Sequence, residues 1–185
     1  LVLWYGDGYT WVTFHQSSNV MTRSAEEVTG SKDYPYIAAK ECPLDKEAED
    51  EIQVFSFGYS EIQEKCRDFL VAAEGEDEAR QGYSFEDFEI QSRDSSGYVQ
   101  KLRIGKTVCT GDQFRDALSL PSSDFSFSED GNKMKITTSG KGHGLGMSLW
   151  TANEMAKEGK TCEEILNFFF EGTSLKNDVQ ESDLI

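Results

Sequence analysis

A run of alternating glycines constrains this chain more than any other feature. Residues 140–148 are GKGHGLGMS, with glycine at every second position from Gly140 to Gly146 and His143 between them. Glycine loses the most conformational entropy on folding, so such a run indicates a special backbone shape or a close approach. In an extended segment the alternation puts all the Cα hydrogens on one flat face, where a ligand or another strand could lie. The alternative is a tight strand-to-helix crossing beside a core histidine.

The run does not match the common nucleotide-binding motifs. Leu145 interrupts a G-x-G-x-x-G pattern, and no G-K-[ST] follows, so neither a dinucleotide fingerprint nor a P-loop is indicated. Ser148 is placed to begin a helix, whose free amides could bind polar ligand oxygens.

Charge and length limit the partners and the domain count. The chain has 185 residues, with 34 acidic and 18 basic side chains and a net charge of −16. Such a surface repels phosphate backbones, so no nucleic-acid partner is expected. The length predicts one domain over residues 1–175 followed by a polar tail, 176–185. No apolar run approaches the roughly 20 residues needed to cross a bilayer.

The cysteines form no C-x-x-C pair, which argues against a zinc ribbon or a thioredoxin motif. Cys66, Cys109 and Cys162 lie in or beside apolar segments, and we predict that they are small core residues.

The pattern of strands and turns predicts an α+β fold, with mostly antiparallel strands and hairpins and three to four short helices. Residues 16–35 are predicted to be a polar loop, and 73–86 an acidic loop. Strands are predicted in 1–15 (as a hairpin around Gly6-Asp7-Gly8), 53–57, 88–92, 98–104 and 125–136 (a second hairpin, around Asp130-Gly131). Helices are predicted to begin at Ser60, Thr110, Ser148 and Thr161, with capping boxes formed by Ser60 with Gln63 and by Thr110 with Gln113.

Few side chains suggest chemistry by themselves. His15 ends the first hairpin beside a serine pair, and it could share a zinc ion with His143 only if further ligands were present. None is indicated, so no metal or cofactor is predicted. The adjacent Glu26 and Glu27 could act as acid and base if their pKa values were separated, or they could simply be solvated on the loop.

Three tryptophans have two possible roles. Trp4, Trp11 and Trp150 could stack on sugar rings, or they could belong to the core. The sequence leaves both possibilities open.

Two long segments resemble a known family. FHQSSNVMTRSAEEV (14–28) and GKGHGLGMSLWTANEMAKEGKTCEEILNFFFEGTSL (140–175) are similar to motifs of the stage II sporulation protein D and amidase-enhancer family. That family has an H-S-S-S-G-G stretch, a G-x-G-H-G-V-G-M-S-Q-Y-G-A run, and then an E-I-L-x-x-Y-Y-x-G-T segment. Shorter matches lie between these segments in the same order, so the resemblance covers about residues 1–175.

The resemblance implies a cell-wall function. Sporulation members of the family are peptidoglycan lytic transglycosylases, which cleave MurNAc–GlcNAc bonds and leave 1,6-anhydro-muramic ends on strands that a partner amidase has stripped of peptides. The reaction needs only one residue that acts as general acid and general base, because the sugar's own 6-hydroxyl is the nucleophile. The implied location is extracytoplasmic and cell-wall facing. Some members bind zinc through a cysteine and histidine cluster, but no cysteine lies near His15 here.

The family's catalytic glutamate lies in an E-M-P helix upstream of the serine motif, and no such helix precedes His15 here. We therefore expect the chain to be the C-terminal portion of the domain, with the acid and any membrane anchor in the part upstream.

The resemblance also implies a set of glycan-binding residues. The cleft wall would be formed by His15, Ser17, Ser18, Gly142, His143, Gly144, Gly146, Met147 and Ser148. The chain departs from the family at several positions: Asn19-Val20 replace the paired glycines, and Leu149, Trp150 and Thr151 replace the usual Gln, Tyr and Gly. Two alternatives remain: a non-catalytic, glycan-binding enhancer of an amidase, and a structural interaction module.

Overall fold

The computed structural model describes residues 1–70 and 82–177. These ranges contain eleven strands and five α-helices, with short 3-10 helices at Pro43–Glu47 and Phe85–Asp87. The strands are β1 (Val2–Tyr5), β2 (Gly8–Tyr9), β3 (Phe14–His15), β4 (Ile52–Gly58), β5 (Phe88–Arg93), β6 (Val99–Ile104), β7 (Thr107–Cys109), β8 (Phe125–Asp130), β9 (Lys133–Ser139), β10 (Met147–Ser148) and β11 (Thr173–Lys176). The helices are α1 (Ala25–Thr29), α2 (Tyr59–Cys66), α3 (Gly111–Leu118), α4 (Leu149–Lys157) and α5 (Cys162–Phe169).

The strands form four small sheets, with orders β11-β1-β2, β10-β3, β4-β9-β8 and β5-β6-β7. All the pairs are antiparallel except β3 with β10, which run parallel. The predicted α+β class, with mostly antiparallel strands, is confirmed. The described residues contain five α-helices rather than three to four.

One part of the molecule, which we call the sheet half, comprises β4 to β9 with α2 and α3. Alternation on β9 buries Met134 and Ile136 on one face, as expected for a strand with a single core face. Helix α3 buries Phe114 and Leu118, which are one turn apart, and Thr110 caps it with the predicted reciprocal bonds to Gln113. These apolar side chains form one continuous cluster with those of β6 and β8.

The other part, the site half, comprises β1 to β3, β10, β11 and helices α1, α4 and α5. A second apolar cluster fills it, centred on Tyr36, Ile37, Phe169 and Phe170. Strand β11 pairs with β1 along its whole length, from Val2 opposite Lys176 to Tyr5 opposite Thr173. This strand was not predicted. Most of the predicted tail, 178–185, lies outside the described residues.

Local predictions failed at three places. Helix α1 lies inside the predicted polar loop, where the Ser24 side chain accepts a bond from the Glu27 amide. Helix α2 begins at Tyr59 after Gly58 and has no side-chain cap, so the capping box predicted at Ser60 is wrong. Cys162 is exposed at the start of α5, so its predicted core position is wrong too, whereas Cys66 and Cys109 are buried as predicted. Residues 73–81 of the predicted acidic loop lie outside the described residues.

Candidate functional site

The two motif segments lie side by side in the structure. Backbone amides of Gln16 and Ser17 both donate to the Lys141 carbonyl, at 3.0 and 3.1 Å, and the Met147 amide donates to Thr13 at 3.0 Å. The parallel pair β3–β10 sets Ser148 opposite His15. Both ends of the glycine run are thus bonded to the same short stretch of chain, so the run must arch around His15.

The glycines are required by this arch. All four have positive φ, between 74° and 114°, where other L-residues are strained. A Cβ at Gly142 would lie 2.6 Å from the Cβ of His15, and one at Gly144 would lie 2.5 Å from the Tyr98 ring. The glycine faces therefore pack on the protein's own chain. The interpretation as a flat ligand platform is wrong. The run is a tight crossing, but His143 within it is partly exposed and is not a core residue.

The two histidines meet at the centre of the arch. Their ring centroids are 5.9 Å apart, so the fold places the histidines of the two motif segments side by side. His15 is buried and its Nδ1 lies 3.2 Å from the Leu145 carbonyl, so Nδ1 carries the hydrogen and donates it. In His143, Nδ1 accepts from the Leu145 amide at 3.1 Å. The hydrogen is therefore on Nε2 of His143, 3.3 Å from the Thr13 hydroxyl.

Both imidazoles are neutral at neutral pH. Burial lowers the pKa of His15 to about 4, with a smaller lowering by His143, against a raising effect of the Leu145 carbonyl. Burial also lowers the pKa of His143, and the nearby Arg115 adds to the effect. Two buried polar atoms in this stretch, His15 Nε2 and Ser17 Oγ, have no hydrogen-bond partner among the described residues.

A buried carboxylate, Asp45, ties the two motifs together. One oxygen accepts from the amide and the hydroxyl of Ser18, both at 2.6 Å. The other accepts from the hydroxyls of Ser148 and Thr151, at 2.8 and 2.7 Å. Four donors from segments more than a hundred residues apart thus share one carboxyl group, as a buried charge requires.

A buried guanidinium, Arg23, joins the site half to the sheet half. Its Nε donates to Asp94 at 2.6 Å and its Nη1 to both oxygens of Asp112, at 3.0 and 3.2 Å. Nη1 also donates to the His143 carbonyl at 3.2 Å, and the Arg23 amide donates to Gly144. Although burial alone lowers its pKa, the two carboxylates raise it overall, so Arg23 stays charged. The group fixes the backbone of the arch at His143.

The predicted cleft residues divide by burial, which corrects their roles. Partly exposed are Gly142, His143 and Met147. Buried are His15, Ser17, Ser18, Gly144, Gly146 and Ser148. The six buried residues cannot touch a glycan strand in this conformation, since their surfaces are covered by the protein itself. They hold the arch in shape instead.

Glu26 and Glu27 lie in different environments, but neither environment is that of an acid catalyst. Glu27 accepts from the amide and hydroxyl of Ser95, and these bonds lower its pKa. Glu26 is exposed and pairs with Lys32. Glu27 thus ties α1 to the turn between β5 and β6.

The sequence offered little signal for the charged groups of the site. Asp45 stands in an acidic stretch that resembles a solvated loop, and Arg23 lies in the predicted polar loop. Neither has a local partner. The capping pattern of Ser24 and Glu27, overlooked as a helix start, is a signal that would have placed Arg23 next to an ordered element.

In residues 1–70 and 82–177, no three His, Cys, Asp or Glu side chains are grouped so that they could hold a metal ion. In the same ranges, no helix has the length and apolarity to span a membrane.

Comparisons with known proteins identify relatives across nearly the whole chain. No family model matches. The chain is 30% identical over 174 residues, 94% of its length, to stage II sporulation protein D of Bacillus subtilis. It is 31% identical over 171 residues to the same protein of Bacillus amyloliquefaciens. An uncharacterised protein of Brachyspira hyodysenteriae is 35% identical over 89 residues, 46% of the chain.

The chain spans about half the length of the two Bacillus relatives, 47% and 45% respectively. The names of these relatives support a role related to sporulation. Their similarity extends over both motif segments and the strands between them, and on this basis the chain belongs to the stage II sporulation protein D family.

Proposed function

We propose that this chain forms the glycan-holding part of a cell-wall lytic transglycosylase that acts on peptidoglycan strands stripped of their peptides. The observation that carries the proposal is the partly exposed, neutral His143, held against Thr13 at the junction of the two motif segments. By this proposal the protein works on the outer side of the membrane, facing the cell wall, with a partner amidase that prepares the strands.

The hydrogen bonding of His143 suits contact with sugar hydroxyls. Its Nδ1 is held by a backbone amide, so its Nε2–H points at the Thr13 oxygen. The Thr13 hydroxyl is partly exposed, and accepting that hydrogen leaves its own hydrogen free for a ligand oxygen. A neutral donor and acceptor pair fits an uncharged hydroxyl better than an ionised group would.

The surroundings of this pair also favour a carbohydrate. Residues 8–22 and 142–153 contain no Asp, Glu, Lys or Arg, although 28% of the whole chain is charged. In a protein of net charge −16, such a charge-free junction is where a glycan with acidic muramic groups meets the least repulsion.

A second candidate function, glycan binding without cleavage, is favoured by the carboxylates of the site. Cleavage needs a general acid within reach of the glycosidic oxygen. Asp45, Asp94 and Asp112 each accept hydrogen bonds from hydroxyl, amide or guanidinium groups, so their oxygens are engaged within the protein. These three aspartates are therefore holding groups.

Retention on denuded glycan strands tests the proposal. Wild type should co-sediment with the strands, and His143→Phe should lose retention with little change in melting temperature. The matched control is Asn167→Ala, an exposed position on α5 outside both charge-free segments, which should bind like wild type. A wild type that is not retained would overturn glycan binding.

Mass spectrometry of denuded glycan strands incubated with the chain separates the two candidates. Anhydro-muramic ends released by the 185-residue chain would favour the transglycosylase and require an acid within it. Binding without such ends would favour the holding role.

A further inference from the structure

Exposed apolar side chains are concentrated beside the arch. The described residues contain ten exposed large apolar side chains, and five of them lie in the two charge-free segments: Tyr9, Trp11, Val12, Phe14 and Leu149. Trp11 is half exposed, at 50%. A group of large exposed apolar side chains in one region often marks a binding surface.

The backbone of Trp11 is fixed by hydrogen bonds although its side chain is half exposed. The hydroxyl of the buried Tyr36 accepts from the Trp11 amide and donates to the Trp11 carbonyl, both at 3.0 Å. The Trp11 ring also lies 5.4 Å from that of Tyr34, between centroids. A buried tyrosine thus uses its only hydroxyl to fix the backbone of an exposed tryptophan. Such preorganisation lowers the entropy lost when a ligand binds.

The ring lies close to the candidate site. Trp11 is two residues before Thr13, so their Cα atoms are at most about 7 Å apart. Thr13 is the residue whose hydroxyl meets His143. A ligand that reaches this hydroxyl is therefore within one or two ring lengths of the Trp11 face.

Chemistry selects the occupant. Asp7 is the single Asp, Glu, Lys or Arg among residues 1–22, so this surface has no basic side chain to select a ligand by charge and only one acidic side chain to repel an anionic one. A tryptophan face next to uncharged hydroxyl groups fits a ligand with apolar ring faces and many hydroxyls, which describes a pyranose.

We propose that Trp11 is a stacking subsite for one sugar ring of a glycan strand whose neighbouring sugar lies at Thr13 and His143. The inference rests on the proposed function, because it assumes that the ligand of the arch is a glycan. Tyr34 contacts the Trp11 ring, and the exposed half of the Trp11 surface is left for the sugar.

Binding of soluble denuded glycan strands to the full chain, measured by calorimetric titration, tests the subsite. Trp11→Leu keeps an apolar side chain but removes the ring, and it should weaken binding about tenfold, or ~1.4 kcal/mol. Trp11→Tyr restores a ring face and should bind within about threefold of wild type. The control is Val54→Ser, which removes an apolar side chain of similar exposure, 56%, from the sheet half and should change nothing.

Each outcome decides a different point. If wild type binds and Trp11→Leu binds equally well, the subsite is wrong while the glycan function stands. If wild type does not bind, the glycan function fails and the subsite with it. If Trp11→Leu instead converts a sedimenting dimer to a monomer with unchanged glycan affinity, the surface pairs copies of this chain and the subsite is overturned.

Discussion

The sheet half and the site half are held together in different ways. The sheet half consists of antiparallel strands of three to seven residues around one apolar cluster. The site half has strands of only two residues at β2, β3 and β10, and its helix α1 has five residues. Buried hydrogen-bonded groups, Asp45 and Arg23, do there what continuous ladders do in the sheet half. Directional bonds shape an arch that apolar burial alone could not specify.

The comparison is tested most strongly at Arg23. Arg23→Leu should lower the free energy of unfolding by about 3–5 kcal/mol, because it leaves the buried Asp94 carboxylate without its cation. The matched control is Arg67→Leu in the sheet half, whose partner Glu64 is 70% exposed, and it should cost under about 1 kcal/mol. Urea denaturation of both variants measures the difference. Equal losses would show that Arg23 is no more important than a surface ion pair.

The glycine arch is the next test. Gly144→Ala should lower the free energy of unfolding by about 2–4 kcal/mol, since it adds a clash with Tyr98 to the strain of positive φ. Gly159→Ala, at a similar φ of 87° with open space around it, should cost only about 1–2 kcal/mol. Thermal melting of the two variants compares them. If both cost the same, contact with Tyr98 adds nothing and the arch is set by backbone conformation alone.

The same contrast explains what could be predicted from sequence. The hairpin β8–β9, the pair β5–β6 and the capped helix α3 were predicted because their signals are local: alternation, a turn dipeptide and a capping box. Helix α1 and strand β11 were missed because the first is short and the second pairs only with residues at the other end of the chain.

The site was predictable in membership more than in role. The motifs that resemble the family located the histidines and serines, and the structure brings His15 and His143 together. The roles depended on burial, which comes from tertiary packing. Ser18 and Ser148 could equally have faced a ligand until Asp45, 27 and 103 residues away, was found between them.

Lowering the pH should destabilise the site half rather than the sheet half, because both histidines lie at the arch. The unfolded His15 binds a proton as the pH falls below about 6.5, whereas the folded one stays neutral down to its pKa of about 4. The unfolded state therefore gains protons first, and stability falls as the pH is lowered between these values. From pH 7 to pH 5 the loss should be about 2 kcal/mol.

Removing the imidazole provides the check on this dependence. His15→Gln should lose most of the decrease in unfolding free energy between pH 7 and pH 5, measured by urea denaturation at each pH. A variant with the same slope as wild type would assign the pH dependence to other groups, such as His143, whose pKa is also lowered.

The smallest expected effect concerns strain at Val20, which follows the serine motif. Its φ is 102°, a region that β-branched residues avoid, and its position is one where the family has glycine. Two bonds hold it there: its amide donates to the Ser18 hydroxyl at 3.2 Å, and its carbonyl accepts from the Cys42 amide at 2.6 Å.

Val20→Gly should relieve about 1–2 kcal/mol of strain and lose about 0.5–1 kcal/mol of stability to the more flexible unfolded chain. The net gain is then between zero and about 1.5 kcal/mol, seen as a slightly higher melting temperature. Asp50→Gly is the control, because aspartate tolerates its φ of 53° and no strain should be released. If Val20→Gly melts below wild type, packing of the valine side chain stabilises the protein by more than the strained backbone at Val20 destabilises it. The stretch after the serine motif would then be held by side-chain contacts rather than under strain.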